Sequence, residues 1–319
     1  MGYRIGSFNV QRLGNGATNE KITGICDIIR EENLDIVAFQ EAFSEGKGFR
    51  KKGFELGLPG WDFFFQESAN MPGNHGEGYV FGWNTKRFCY SESRVLSSKL
   101  FQPRVIGLSG NDGIHLDGSW MARPPMYGRF RPVNGGFFEI RLINIHVVQG
   151  GEDDDSINSR KKEYEYLIDE IFPKICDKRF GNNRTSYTIA MGDYNLALLT
   201  PNNLKSEFFN PRLCISDDLQ GRLRVKTVLD EPTTLRSSKP EDKNTWGYRN
   251  NFDHFTFSEK DIGWKGGRCT YNRIDAVEKY FNNRFDIYHR DISDHVPILL
   301  ELDIMEEIAY DNNGYRKAN

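Results

Sequence analysis

Polar side chains lie at the ends of several predicted strands, although buried strands consist mainly of apolar residues. Most of them are carboxylates, amides and histidines: Asn9, Glu41, His146, the motif Gly192-Asp193-Tyr194-Asn195 and the motif Ser293-Asp294-His295. Carboxylate and amide oxygens bind hard divalent cations, and histidine transfers protons near neutral pH. These residue types therefore predict a metal-assisted site.

The two motifs carry more weight than the single residues. Gly-Asp-x-Asn and Ser-Asp-His each occur by chance in only about a few per cent of chains of this length, whereas a Gln-Glu pair such as Gln40-Glu41 is expected about once. Each motif alone has a second interpretation as a turn, because Gly, Asp, Asn and Ser favour turns. Singly, each motif is moderate support for a site.

Short β-rich runs that would position these residues recur along the chain. They cover residues 3–10, 35–40, 61–66, 79–83, 137–148, 187–191, 252–257 and 296–302. The spacing of Ile22, Ile25, Cys26 and Ile29 predicts one amphipathic helix, and apolar residues from Tyr164 to Ile175 predict a second. The order of these elements indicates sheets packed together and covered by helices.

The composition limits the class of protein. No apolar run among the 319 residues approaches the ~18 that read as a membrane span, and no linker or repeat divides the chain, so we expect one soluble domain over residues 1–319. The 42 basic and 45 acidic residues nearly cancel, so a phosphate-bearing partner must be held locally. Five scattered cysteines without a Cys-x-x-Cys pair favour a reducing compartment. We expect a cytoplasmic protein, or a secreted one if a leader was removed.

Together and in this order, Asn9, Glu41, His146 and the two motifs resemble the endonuclease/exonuclease/phosphatase superfamily, whose best-known member is deoxyribonuclease I. The resemblance extends from Phe8 to Pro297, nearly the whole chain. It implies an α/β fold with a four-layered α/β/β/α sandwich, in which two mixed β-sheets pack face to face with helices outside.

The resemblance also implies roles for individual residues. Asn9, Glu41 and Asp294 correspond to the amide and the two carboxylates on the metal side. Asp193 and Asn195 resemble the pair that orients the nucleophile and contacts the phosphate.

Two histidine–carboxylate pairs complete the implied site. His146 resembles one catalytic histidine, with Glu77 placed to partner it, and His295 resembles the second, with Asp253 as its partner. A neighbouring carboxylate raises the pKa of a histidine because it favours the imidazolium. One histidine then accepts the proton of water while the other stabilises the leaving oxygen, and we predict His295 as the base.

Hydrolysis of an anionic phosphodiester requires neutralisation of the developing charge. Mg²⁺ is suited to this, because it binds one or two carboxylates, here Glu41 with Asp294 or Asp193, and keeps sites for water and phosphate; Mn²⁺ is expected to substitute. The acidic run 152–155 has two interpretations, a structural Ca²⁺ site or a solvated helix start.

Arg123, in the segment 121–130, is the most informative residue for the substrate. An Arg-Pro element before the first catalytic histidine is similar to deoxyribonuclease I and related toxin nucleases, where the arginine contacts backbone phosphate. The alternative is a solvated arginine in a proline-rich loop. Further candidates for phosphate contact are residues 50–52 and the pair Arg129 and Arg131, with a solvated charged surface as the alternative for 50–52.

The sequence favours a Mg²⁺-dependent hydrolase of phosphoester bonds, a DNA endonuclease of low sequence specificity. A phosphatase or phosphodiesterase for a small phosphorylated substrate, of inositol phosphate, sphingomyelin or tyrosyl-DNA type, stays open. Residues 244–253 partly resemble such enzymes, and the arginine that follows the Gln-Glu pair in deoxyribonuclease I is absent here. A binding module without catalysis is the third hypothesis. We expect His75, His115 and His289 at the surface and His254 in packing.

Overall fold

The computed structural model describes most of the chain. The described residues are 2–14, 16–43, 50–68, 76–89, 104–105, 121–133, 138–151, 153–177, 184–197, 215–217, 224–229, 231–236 and 246–304. They form two β-sheets with helices on the outer faces.

The first sheet has six strands. They are β1 (Gly2–Leu13), β2 (Ile36–Phe43), β3 (Trp61–Glu67), β4 (Glu77–Asn84), β13 (Gly267–Arg273) and β14 (Ile298–Ile304). Their order across the sheet is β13-β14-β1-β2-β4-β3. β1 and β2 are parallel and the other neighbours are antiparallel, so the sheet is mixed.

The second sheet has eight strands in the described part of the chain. They are β5 (Phe88–Cys89), β6 (Arg104–Val105), β7 (Met126–Pro132), β8 (Phe138–His146), β9 (Thr185–Asp193), β10 (Ile215–Asp217), β11 (Arg224–Val228) and β12 (Asp253–Phe257). Their order is β10-β11-β12-β9-β8-β7-β5, and β6 also pairs with β7. β8 and β9 are the parallel pair, so this sheet is mixed as well.

Helices cover both outer faces. They are α1 (Asn19–Glu31), α2 (Lys51–Gly57), α3 (Asp154–Tyr166), α4 (Phe172–Asp177), α5 (Glu259–Trp264), α6 (Ala276–Phe281) and α7 (Phe285–Asp291). The second predicted helix is interrupted, because a π-helical stretch, Leu167–Ile171, joins α3 to α4. None of the helices in the described segments has the length and apolar character needed to span a bilayer.

Three hydrophobic clusters separate the layers. The first lies between the sheets, where Ile5 and Phe81 of one sheet pack with Leu142 of the other. The second lies between the first sheet and α1, α2, α6 and α7, and the third between the second sheet and the α3–α4 segment. Alternate residues of β2 face opposite clusters, Ile36 inward between the sheets and Val37 outward toward the helices. The predicted α/β/β/α sandwich is confirmed.

Candidate functional site

The predicted site residues meet at one edge of the sandwich. Asn9 and Glu41 lie in the parallel strands β1 and β2, and His146 and Asp193 end the parallel strands β8 and β9. The pairing of β9 with its two neighbours places His146 and Asp253 on either side of Asp193. Backbone register alone therefore brings three of the predicted side chains into one row.

The glycine of the Gly-Asp-Tyr-Asn motif has a steric role at this edge. Gly192 has a φ of +147°, and a Cβ atom there would overlap the carbonyl oxygen of Ile145 on β8. Backbone atoms cannot move aside as a side chain can, so the position requires glycine. Close approach of β8 and β9 is thereby fixed immediately before Asp193.

Asn9 connects the two sheets through its side-chain amide. Its Nδ2 donates to Oε1 of Glu41 at 3.1 Å and to Oδ2 of Asp193 at 2.9 Å. Its backbone carbonyl accepts a hydrogen bond from the Ser293 hydroxyl at 2.7 Å, which anchors the Ser-Asp-His motif to β1. The amide is buried, so these bonds are shielded from competing water.

His146 contacts Glu77, as predicted, and the structure adds Arg123 to the pair. Nδ1 of His146 lies 2.8 Å from Oε1 of Glu77, and Nε of Arg123 lies 2.8 Å from the same oxygen. Burial alone would raise the pKa of Glu77, but His146 and Arg123 outweigh it and lower the pKa to about 2. The Tyr79 hydroxyl accepts the backbone N–H of His146 at 3.0 Å and donates to the Arg123 carbonyl at 3.3 Å.

His295 contacts Asp253, the second predicted pair. Nδ1 of His295 lies 2.7 Å from Oδ2 of Asp253, and both side chains are buried. Burial lowers the pKa of His295, but Asp253 and Asp193 overcome it and raise the pKa well above its usual value. The Thr233 hydroxyl donates to Oδ2 of Asp253 at 2.6 Å and accepts the Asp253 N–H at 3.1 Å, so it orients that carboxylate.

Both histidines converge on Asp193. Nε2 of His146 and Nε2 of His295 each lie 3.6 Å from Oδ2 of Asp193, a separation longer than a hydrogen bond. The other oxygen, Oδ1, accepts the Asn195 N–H at 2.8 Å, and Asn195 Nδ2 donates to the Val147 carbonyl at 2.9 Å. Two proton-transfer groups and a carboxylate thus surround one point, where a water or a phosphoryl oxygen would meet all three.

Glu41 and Asp294 offer oxygen ligands beside this point. Both line a pocket of about 500 Å³. Oδ1 of Asp294 is buried and accepts no hydrogen bond, so it has capacity for a cation. The described residues hold no cluster of three or more His, Cys, Asp or Glu side chains suited to a metal. Two carboxylates with the Asn9 amide fit Mg²⁺, which binds few protein ligands and keeps its waters.

One prediction about phosphate contacts is wrong. Arg129 is buried in β7, and its Nη2 pairs with Oε2 of buried Glu139 at 2.5 Å. Arg141 pairs with the other oxygen of Glu139 at 2.7 Å. A buried carboxylate between two arginines is a structural ion group, because an uncompensated charge could not be buried there. Arg129 therefore offers nothing to a substrate at the surface.

The segment 50–52 is partly engaged by the protein. Arg50 Nη1 donates to the Ala17 carbonyl at 2.5 Å, and Lys51 Nζ pairs with Asp62 at 2.5 Å. Lys52 is exposed. This arrangement supports the interpretation of residues 50–52 as a charged surface.

The two remaining histidines that the structure describes do not join the site. His254 is buried, and its Nε2 lies 2.9 Å from the Leu196 carbonyl, so the predicted packing role is confirmed. His289 packs edge-on against Trp246 with ring centroids 5.5 Å apart. His75 and His115 lie outside the described residues.

The acidic run 152–155 supplies a helix cap. Oδ1 of Asp153 accepts the Ser156 N–H at 2.9 Å, which satisfies a free donor in the first turn of α3. Glu152 lies outside the described residues. This contact supports the interpretation of the acidic run as the start of a helix.

Three supporting residues were missed by the sequence analysis. Thr233 contacts Asp253 and Tyr79 contacts the backbone of His146. The third residue is Glu163 of α3, a buried carboxylate. Its oxygens accept the backbone N–H of Ala122 at 2.8 Å and of Val148 at 3.0 Å. Burial raises the pKa of Glu163. The only sequence signal was an acidic residue on the apolar side of a predicted helix, which does not reveal its distant partners.

Comparisons with known proteins agree with this architecture. No family model matches the chain, and no curated protein matches its sequence. Among solved structures, an endonuclease/exonuclease/phosphatase family protein from Bacteroides thetaiotaomicron is 15% identical, with a TM-score of 0.55 over 95% of this chain and 97% of that one.

Two further structures have the same fold but different names. A mannosyl-6-phosphatase from Bacteroides thetaiotaomicron is 15% identical, with a TM-score of 0.55 over 94% of this chain and 99% of that one. A humanized D. rerio TDP2 is 15% identical, with a TM-score of 0.56 over 95% and 99%. The chain thus has the endonuclease/exonuclease/phosphatase fold that its motifs predict.

Proposed function

We propose that the protein is a metal-dependent phosphodiesterase that cleaves nucleic acid, with DNA as the favoured substrate and little sequence specificity. The observation that carries the proposal is the convergence of His146 and His295 on Asp193, each histidine backed by its own carboxylate. Phosphodiester hydrolysis needs a base for water, a donor for the leaving oxygen and stabilisation of charge.

Each role falls to a particular group. His295 is the base, because Asp253 holds its Nδ1 while its Nε2, 3.6 Å from Oδ2 of Asp193, faces the point where the water would lie. His146 stabilises the leaving oxygen, and Asp193 and Asn195 orient the water and the phosphate. Asn9, Glu41 and Asp294 hold Mg²⁺, which supplies positive charge to the phosphate oxygens when it is bound.

Arg123 is the proposed link to a nucleic-acid backbone. Its Nε is paired with Glu77, and its Nη1 lies 3.4 Å from the Val147 carbonyl, so the guanidinium is fixed beside His146. A fixed guanidinium fork is suited to a phosphate oxygen.

A smaller substrate is the second candidate. The pocket of about 500 Å³ next to Glu41 and Asp294 has the size of small-ligand sites. One structure with this fold is a mannosyl-6-phosphatase. A phosphatase or phosphodiesterase for a small phosphorylated compound is consistent with both observations.

The decisive experiment follows supercoiled plasmid as it becomes nicked and linear, with Mg²⁺ or Mn²⁺ and with chelator. We expect metal-dependent nicking that falls at least about a hundredfold in Asp193→Asn and in His295→Ala. Asp62→Asn is the matched control, because Asp62 lies near the opposite end of the first sheet and pairs with Lys51. No nicking by the folded, metal-supplied protein would overturn the nuclease, and release of phosphate from small phosphoesters would then favour the second candidate.

A further inference from the structure

The pocket beside Glu41 and Asp294 contains charges that metal binding and water activation do not use. Its lining includes the carboxylates Glu41, Asp291 and Asp294 together with the cations Arg12, Lys21 and Arg290.

The cations are not equally compensated. Arg290 is paired with the adjacent Asp291, with Nε 2.6 Å from Oδ1. For Arg12 and Lys21, no carboxylate among the described residues comes within ion-pair distance. These two side chains therefore retain their capacity to bind an anion.

The backbone that presents Arg12 is strained. The regular pairing of β1 with β2 ends at Asn9, which lies opposite Gln40. It resumes at Leu13, opposite Ala42, so β1 contains two extra residues between these two pairs. Within this bulge Gln11 has a φ of +40° and Arg12 a φ of +56°, in the left-handed region that is unfavourable for residues other than glycine. The bulge directs the exposed Arg12 to the pocket, while its N–H donates to Oε2 of Glu41 at 3.3 Å.

Lys21 enters the pocket from the first turn of α1. Its Nζ donates to the Gln11 carbonyl at 2.8 Å, so the ammonium is held against the bulge. Burial lowers the pKa of Lys21 to about 8, although Asp294 and Glu41 act in the opposite direction. An anion bound next to this ammonium would compensate the burial.

We propose that this pocket is a subsite for a second phosphate group of the substrate, held by Arg12 and Lys21. In a polynucleotide that group is the phosphodiester next to the scissile one, because the pocket shares the Glu41 and Asp294 wall with the site. This inference rests on the proposed nuclease function. Lysine binds phosphate as a point charge and arginine as a fork, so the pair suits a tetrahedral anion.

The test compares the binding of two ligands that a phosphodiesterase does not cleave. Calorimetry in magnesium buffer measures the Kd of thymidine 3′,5′-bisphosphate and of thymidine 5′-monophosphate. We expect the wild-type protein to bind the bisphosphate at least about tenfold more tightly. In Lys21→Met and Arg12→Met the ratio of the two Kd values should fall toward one, because the second phosphate loses its partner.

Lys86→Met is the matched control. Lys86 is exposed in the turn after β4, whose opposite end carries Glu77, so it lies far from the site. Its ratio should equal that of the wild type. An unchanged ratio in both Lys21→Met and Arg12→Met would overturn the subsite, as would equal binding of the two ligands by the wild type.

The plasmid assay and the binding measurements distinguish an error in the subsite proposal from an error in the nuclease proposal. Plasmid nicking without a preference for the bisphosphate contradicts the subsite and leaves the nuclease intact. A preference that depends on Lys21, in a protein that nicks no plasmid, supports the phosphate subsite and contradicts the nuclease.

Discussion

At the residue scale, one carboxylate oxygen contacts two side chains of the site. Oε1 of Glu77 contacts both Nδ1 of His146 and Nε of Arg123. The carboxylate therefore fixes the orientation of the histidine ring and of the guanidinium at once. Its pKa of about 2 reflects these contacts, which outweigh the effect of burial.

Glu77→Gln should lower the free energy of unfolding in a pH-dependent way. The folded pKa lies below the unfolded value of 4.5, so the carboxylate stabilises the fold above about pH 4.5 and loses this effect as the pH falls toward 2. At about pH 7 the loss should be on the order of 3 kcal/mol. Urea denaturation between about pH 7 and pH 3 measures it.

Glu55→Gln is the control for this prediction. Glu55 is exposed and pairs with Lys51 at 3.5 Å on the surface of α2, a contact worth about 0.3–0.5 kcal/mol. A difference between wild type and Glu77→Gln that does not change with pH would contradict the proposed ionisation of Glu77.

The carboxylate partners of the two histidines could be predicted from the sequence, but the residues that orient those carboxylates could not. His146 and His295 were assigned partners because motif order and resemblance place Glu77 and Asp253 nearby. Thr233 belongs to a segment without a recognisable motif, and its contact with Asp253 depends on isolated pairings of the next two residues with His295 and Tyr248. Contacts between distant loops leave no local pattern in the sequence.

At the element scale, α3 positions two segments of the site through a single residue. Glu163 accepts one N–H from the segment that carries Arg123 and another from the residues that follow His146. A carboxylate offers two acceptor oxygens, one for each segment, whereas an amide offers only one.

Glu163→Gln should therefore leave one backbone N–H without an acceptor. We expect a loss of about 1–3 kcal/mol in the free energy of unfolding, together with a lower kcat on the phosphodiester substrate. Glu165→Gln, on the exposed side of the same helix, should change neither quantity. Equal stability of the two variants in urea denaturation would contradict a positioning role for Glu163.

Helices and strands with a regular spacing of apolar residues were predicted, and those without such a spacing were missed. α1 buries residues such as Ile22, Ile25 and Ile29 at helical spacing, which the sequence shows directly. The edge strand β13, Gly267–Arg273, is largely polar and alternates between partly and fully exposed residues, so its composition resembles a loop. Short helices such as α5 contain too few turns to display a period.

At the scale of the whole molecule, the site exists only while the two sheets keep their relative position. One sheet supplies Asn9, Glu41 and Glu77, and the other supplies His146, Asp193 and Asp253. The interface between the sheets is largely apolar, and in the described residues its buried hydrogen bonds include that of Asn9 with Asp193 within the site and one further link outside it.

That link joins Gln40 of β2 to Asn144 of β8. Gln40 Nε2 donates to Asn144 Oδ1 at 2.6 Å, and Asn144 Nδ2 donates to the carbonyls of Phe39 at 3.0 Å and Val80 at 3.3 Å. Apolar contacts tolerate sliding, but these hydrogen bonds have one favoured geometry. The link therefore adds to the contacts within the site that hold one sheet in position against the other.

A double-mutant cycle distinguishes the effect of this link on the relative position of the sheets from its effect on the free energy of unfolding. Asn144→Leu should cost about 2–4 kcal/mol, because the buried Gln40 amide loses its shorter hydrogen bond and keeps the one to the Ser7 hydroxyl at 3.1 Å. The double variant Gln40→Leu with Asn144→Leu should recover about 1–3 kcal/mol relative to the sum of the single changes, since both polar groups are gone. Urea denaturation gives the four free energies, and the plasmid assay gives the activities.

The activities should not follow the stabilities in this cycle. With these hydrogen bonds removed, the sheets are joined less firmly, by contacts such as that of Asn9 with Asp193, and the distance of the histidines from Glu41 is less tightly fixed. We expect the double variant to regain stability while its nicking rate stays at least about tenfold below the wild type. A double variant that recovers stability and activity together would show that apolar packing alone sets the position of the sheets.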